Sequence, residues 1–203
     1  MSLQVKTVLI FVAAFVAACG GKDAENATDG DSRYRFLDAD NDSCVIDART
    51  GLTWAAKSDV AGLHHYAATY SWYDPSEAHG ELDYRGTENG GDCAGSACDT
   101  YHYVLAVNDA GYCGFNDWRL PTRDELLSIS LQGRSMNPPT VEIEFFPRTE
   151  VGEYWSSNDY SFQWNAAWAW NFQFGHDRVD WKREPKFVRL VRGDATDLPE
   201  VKE

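Results

Sequence analysis

Basic residues are scarce. Eighteen lysines and arginines stand against 32 aspartates and glutamates, a formal net charge of −14 at pH 7. Neutralising nucleic-acid phosphates needs clustered lysine and arginine, so no nucleic-acid partner is expected. Long apolar runs are lacking as well, and after residue 18 no window is hydrophobic enough to span a bilayer. The familiar catalytic signatures are missing: no Gly-x-Ser-x-Gly, no His-Glu-x-x-His, no phosphate loop and no dinucleotide glycine fingerprint. A non-enzyme without a cofactor is therefore expected. Apolar matter is plentiful, at 43 % hydrophobic and 14 % aromatic residues. That excludes a disordered or collagen-like chain, and 203 residues fit one domain or two small ones.

The first nineteen residues carry an address. One positive charge, Lys6, precedes an apolar run over Thr7–Ala18 that is too short for a transmembrane helix and suits a secretory signal. The run ends in Val16-Ala17-Ala18-Cys19, which resembles a bacterial lipobox, with Cys19 as the lipid-bearing thiol. An ordinary Ala-x-Ala cleavage is the competing reading. Residues 1–18 are accordingly expected to be a lipoprotein signal peptide, and 19–32 a flexible acidic tether. Gly20 follows the cysteine where retention signals carry aspartate. By resemblance to Gram-negative lipoproteins, this implies a lipid anchor in the bacterial outer membrane, periplasmic or surface-exposed.

Four cysteines remain: Cys44, Cys93, Cys98 and Cys113. An even set in an exported chain suggests two disulfides, with three connectivities possible. The small residues between Cys93 and Cys98 make a local bridge easy, which leaves Cys44 for Cys113. Zinc competes, but these spacings lack the paired C-x-x-C pattern.

Periodicity from residue 33 onward predicts an α+β fold, and residues 194–203 read as an acidic tail. Cys44–Asp47 and Leu52–Ala56 read as strands around a turn at Gly51, and residues 71–99 as a long loop. A helix is expected from an Asp99 or Thr100 cap to about Ala110, closed by Gly111. A second is announced by Thr122-Arg-Asp-Glu125, a capping box, and should stop by Gly133. Glu153–Ser157, Ala166–Phe174, Arg178–Lys182 and Lys186–Arg192 then read as one antiparallel meander. In it, Trp168, Trp170, Phe172 and Phe174 form a buried face by strict alternation, a packing role preferred over a sugar platform.

Candidate binding residues follow from what lies off that stripe. Asn158, Asp159, Tyr160, Trp164 and Asn165 combine aromatics with amides in one loop, and His176 and Asp177 sit in the turn after Gly175. Stacking plus neutral hydrogen bonding is saccharide chemistry. Arg119 could face a ligand, but its place before a capped helix favours pairing with an internal carboxylate, with Trp118 in the core. Asp38, Asp40 and Asp42 alternate as in a calcium loop, yet Ser43 and Arg49 stand where an EF-hand needs glycine and glutamate, so a solvated turn is the default. His64, His65 and His79 could hold a transition metal, although adjacent histidines point apart.

Several segments together resemble the Lcl C-terminal domain family, named for the collagen-like adhesin of Legionella. They are Asp47-Ala-Arg-Thr-Gly-Leu-Thr-Trp54, Gly111-Tyr-Cys-Gly-Phe-Asn-Asp-Trp-Arg-Leu-Pro-Thr-Arg-Asp-Glu-Leu-Leu127, Tyr154-Trp-Ser-Ser157 and Val188-Arg-Leu-Val-Arg-Gly193. The resemblance covers residues 33–193. It implies a C-type lectin-like domain, with two helices packed on antiparallel sheets and long irregular loops. It also implies a non-catalytic role, binding a glycan or protein ligand at the cell envelope, or serving there as a structural or assembly module with no carbohydrate ligand. The founding adhesin binds sulfated glycans, which need a basic patch, and this chain is acidic and has no collagen stalk.

Overall fold

The computed structural model describes residues 32–38, 41–77, 82–133 and 136–199. The stretch expected to be a signal peptide, Cys19, the expected tether up to residue 31 and the end of the tail lie outside them. Two helices and two antiparallel sheets make an α+β fold.

The first sheet opens with β1 (Tyr34–Asp38), β2 (Asn41–Asp47) and β3 (Thr53–Ala55), joined by tight connections. Gly51, at φ 75°, supplies the left-handed turn between β2 and β3. α1 (Thr100–Asp109) starts at Asp99, whose carboxylate accepts from the backbone N–H of His102, and Gly111 leaves it at φ 61°. α2 (Arg123–Ile129) carries the expected capping box: Thr122 Oγ1 accepts from Glu125 N at 3.2 Å, and Glu125 Oε2 from Thr122 N at 2.7 Å. α2 ends four residues before Gly133, because Ser130 turns extended and Leu131 donates its N–H to Thr140 instead.

The second sheet is β4 (Glu153–Asp159), β5 (Ala166–Asn171) and β6 (His176–Trp181), with β5 central. β7 (Val191–Arg192) does not close this meander. It pairs with β3, giving the first sheet the order β1-β2-β3-β7. The stretch before it crosses between the sheets: Phe187 exchanges backbone hydrogen bonds with Glu153 and Trp155, and Leu190 O then accepts from Ala55 N.

Both sheets are packed on both faces. Trp155, Ala167 and Ala169 belong to one buried cluster with Tyr103 and Val107 of α1, while Tyr154, Trp170 and Phe172 belong to another with Leu126 and Ile129 of α2. Alternation along β5 therefore sorts residues by size between two cores, not between core and solvent. Each apolar side chain of α2 buried there contributes roughly 2 kcal/mol. The aromatic stripe is buried only in its middle. Trp170 and Phe172 are inside, Trp168 is half-buried, and Phe174 is 49 % exposed. The strand stops at Asn171, whose side-chain oxygen accepts from the N–H groups of Gln173 and Phe174 and bends the chain into the next turn.

Between β3 and α1 the chain has almost no regular structure, as expected of residues 71–99. Single bridges order it, among them Tyr70 with Lys186, Thr69 with Asp92 and Tyr73 with Gly86. The disulfides are Cys93–Cys98 and Cys44–Cys113. The first closes a local loop, and the second ties β2 to the segment after α1.

Candidate functional site

The loop over residues 160–165 is positioned by the start of β5. Ala166 pairs with Trp181 across the sheet, and Lys182 N donates to Asn165 O at 2.8 Å. Trp164 and Trp181, 40 % and 39 % exposed, thereby flank a cleft of about 190 Å³, with Asn165, Lys182, Gly86 and Thr87 also lining it. Asn165 Oδ1 is buried there and accepts no hydrogen bond. A buried acceptor without a donor is costly, and this oxygen lies behind the cleft surface that the Asn165 residue helps to line. Gly86 keeps the wall thin, because a Cβ on it would meet Trp72 O at 2.3 Å.

Lys182 is the floor. Its ammonium, 1 % exposed, donates to Tyr84 O, lies 4.2 Å over the Trp72 ring and stands 2.5 Å from Asp159 Oδ1 in a contact lacking hydrogen-bond alignment. Asp159 is thus a counter-ion rather than a free acceptor. Asn158 is occupied as well, its Oδ1 accepting from Arg123 N at 2.8 Å at the start of α2. Tyr160 packs against Phe162 and, edge-on, against Trp168.

His176 and Asp177 are not part of this cleft. His176 pairs with Asn171 and Trp181 with Ala166, so they stand at opposite ends of the β5–β6 ladder, about 17 Å apart at the usual rise per strand residue. Asp177 pairs with Arg123 at 3.1 Å, and His176 stacks on Phe174. The antiparallel register decides this, since the loop before β5 and the turn after it must exit at different ends.

The remaining candidates resolve into structural roles or fall outside the described residues. Arg119 makes two hydrogen bonds to the Glu125 carboxylate, at 2.8 and 2.6 Å, and donates to Gly193 O, while Trp118 is buried. Asp38 ends β1 opposite Asn41, and Asp40 and the side chain of Asp42 lie outside the described residues. His64 stacks on Tyr112 with ring centroids 3.6 Å apart, and burial, reinforced by the charge of Lys57, pushes its pKa down to about 4. It is a neutral core histidine. His65 sits against Tyr66, and His79 is outside the described residues. Among the described residues no three His, Cys, Asp or Glu side chains come together as a metal site.

Two features escaped the sequence reading. One is a larger groove of about 430 Å³ beside the first turn of α1, lined by Trp72, Tyr73, Asp74, Tyr101, Leu120 and Ser157, among others. Its walls come from four separated segments, so no local motif announces it. The other is a buried cationic pair. Lys57 Nζ has no hydrogen-bond partner, and burial, aided by Arg189, lowers its pKa to about 7. Arg189 is buried too, held by Ala55 O and Thr149 Oγ1.

Fold and site together define a disulfide-bridged α+β domain, packed on both faces of each sheet and opening an indole-flanked cleft at one sheet end. The family model for the Lcl C-terminal domain matches residues 43–192, and the chain belongs to that family. No curated protein and no solved structure matches the chain. No helix among the described residues is long and apolar enough to cross a membrane.

Proposed function

We propose that this adhesin-like domain is a non-catalytic, lectin-like binding module, held at the bacterial outer membrane by a lipid on Cys19, and that it docks a neutral saccharide between Trp164 and Trp181. The observation that carries the reading is the pair of half-exposed indoles, Trp164 and Trp181, lining one cleft together with Asn165. Indole faces stack on the apolar faces of sugar rings, and a few polar groups in the lining fix a ligand's orientation. The charge of −14 supports a neutral ligand over a sulfated one. Lipid anchorage rests on the Val-Ala-Ala-Cys19 motif.

A glycan array probed with the full chain tests this. Hits that survive from low to high salt and vanish in Trp164→Ala, with the melting temperature within about two degrees, are the expected result. Binding that is released steeply by salt, or that Trp164→Ala leaves intact, overturns the cleft as the site. A clean array favours the assembly-module reading. For the anchor, Cys19→Ala should leave the chain unprocessed or soluble, and mature, membrane-bound protein from that variant would refute lipidation.

A further inference from the structure

We infer that the groove beside α1 is a second binding site, independent of the Trp164–Trp181 cleft, and that it takes an organic ammonium group. Tyr73 and Tyr101 meet there at right angles, with ring centroids 6.2 Å apart and an interplanar angle of 84°. Trp72, buried and already carrying the Lys182 ammonium over its ring, only borders the groove, and Asp74 lines it beside the tyrosines. Both tyrosines line the groove, and an aromatic face attracts a cation through its negative quadrupole.

The charge balance of the lining points the same way. Arg119 is its one basic side chain, and its guanidinium is already matched by the Glu125 carboxylate. Asp74 has no such match. Its Oδ1 accepts from the backbone N–H and the hydroxyl of Ser76, and among the described residues no cationic group pairs with it. Arg85, whose backbone carbonyl accepts from Asp74 N at 2.9 Å, has its guanidinium committed to Asp83 through two hydrogen bonds. The groove therefore carries one uncompensated negative charge beside an aromatic corner. Its volume, about 430 Å³, is that of a small-molecule pocket, and Val104 and Leu120 extend it with apolar surface for a hydrocarbon stem. Tyr101 is 37 % exposed, so the corner opens to solvent and a ligand can enter.

An ammonium could arrive on a quaternary headgroup or on a primary amine such as a lysine side chain. Titration calorimetry with the full chain separates the two, using choline in one arm and N-acetyl-lysine methylamide in the other. The neutral isostere of choline, 3,3-dimethylbutanol, is the control. At least one ammonium should bind roughly tenfold or more tightly than the alcohol, and the tighter of the two identifies the source. Asp74→Asn should remove that discrimination. Tyr101→Leu, at a partly exposed position where folding is secure, should weaken ammonium binding by a similar factor. Equal affinity for cation and alcohol overturns the inference. So does no binding up to about 50 mM, or full ammonium affinity in a folded Tyr101→Leu variant.

Discussion

The three-stranded sheet and the segment between β3 and α1 reach similar burial by different means. In the sheet, Ala167 and Ala169 are fully buried on β5, which pairs with β6 in one unbroken register and with β4 across a single shift between Trp155 and Asp159. In the segment, Tyr70 and Trp72 are as deeply buried, yet each is placed by an isolated bridge to distant backbone: Tyr70 exchanges two hydrogen bonds with Lys186, and Trp72 donates to Lys182 O and accepts from Thr87 N. A ladder tolerates the loss of one bond because its neighbours hold the register. A set of lone bridges does not. Order in the irregular half therefore depends on cross-links and close approaches that have no counterpart in the sheet. Both candidate sites draw on that half, the cleft through Gly86 and Thr87 and the groove through Trp72 to Asp74.

That contrast can be broken from its strongest element downward. The Cys44–Cys113 bridge closes a stretch of 69 residues that contains the whole irregular half. Replacing both cysteines with serine should cost about 4 kcal/mol in denaturant unfolding, and a loss below ~1 kcal/mol would show that the lone bridges suffice. Next comes Gly91, where an added Cβ would lie 2.1 Å from Thr69 O and 2.6 Å from Tyr70 Cα. Gly91→Ala should cost about 3 kcal/mol, because backbone on both sides must move. An unchanged midpoint would mean that the irregular half gives way easily.

The third test uses the charge buried near that half. Lys57 has its folded pKa lowered from 10.5 to about 7 by burial and by Arg189. Below pH 7 both folded and unfolded chains carry the proton, so folding bears the full cost of burying it. Between pH 7 and 10.5 the unfolded chain binds the proton more strongly, and stability rises with pH across that window. Lys57→Met should therefore stabilise the domain by roughly 2 kcal/mol at pH 6 and by less at pH 9. Equal effects at the two pH values would refute the assignment. The smallest effect belongs to a local rule: Thr122→Ala should remove the α2 cap and cost about 1 kcal/mol without changing the fold. An unaltered melting temperature would show the cap to be idle.

The same division explains what was legible. Features set within a few residues read directly from the sequence: the Thr122–Glu125 box, the Asp99 cap, the Gly51 turn and the Cys93–Cys98 loop. The long-range Cys44–Cys113 pair followed only by elimination. Features set by tertiary pairing did not read. The residues before β7 look like one more strand of the meander, and only their bonds to Tyr70, Glu153 and Ala55 show them crossing between sheets. Alternation at Trp168–Phe174 signals a strand but cannot say that both faces are buried. Trp164 and Asn165 were found as aromatics and amides off the stripe, whereas Trp181, their partner across the cleft, is fixed only by the β5–β6 register. The 430 Å³ groove had no signal, since Trp72, Tyr101 and Ser157 are distant in sequence.

The position of β1 has a mechanical consequence. β1 is an edge strand whose backbone pairs with β2 alone, with Tyr34 packed on Phe146, and it is the first element met by a pull applied at Ser32. Such a load peels β1 away one pair at a time, the weak direction for an antiparallel hairpin. Peeling halts at Cys44, where the chain is covalently fastened to Cys113. Only residues 33–43 can pay out, roughly 40 Å of slack at full extension. Beyond that length the strain passes through the Cys44–Cys113 bond into the centre of the domain, past the cleft and the groove.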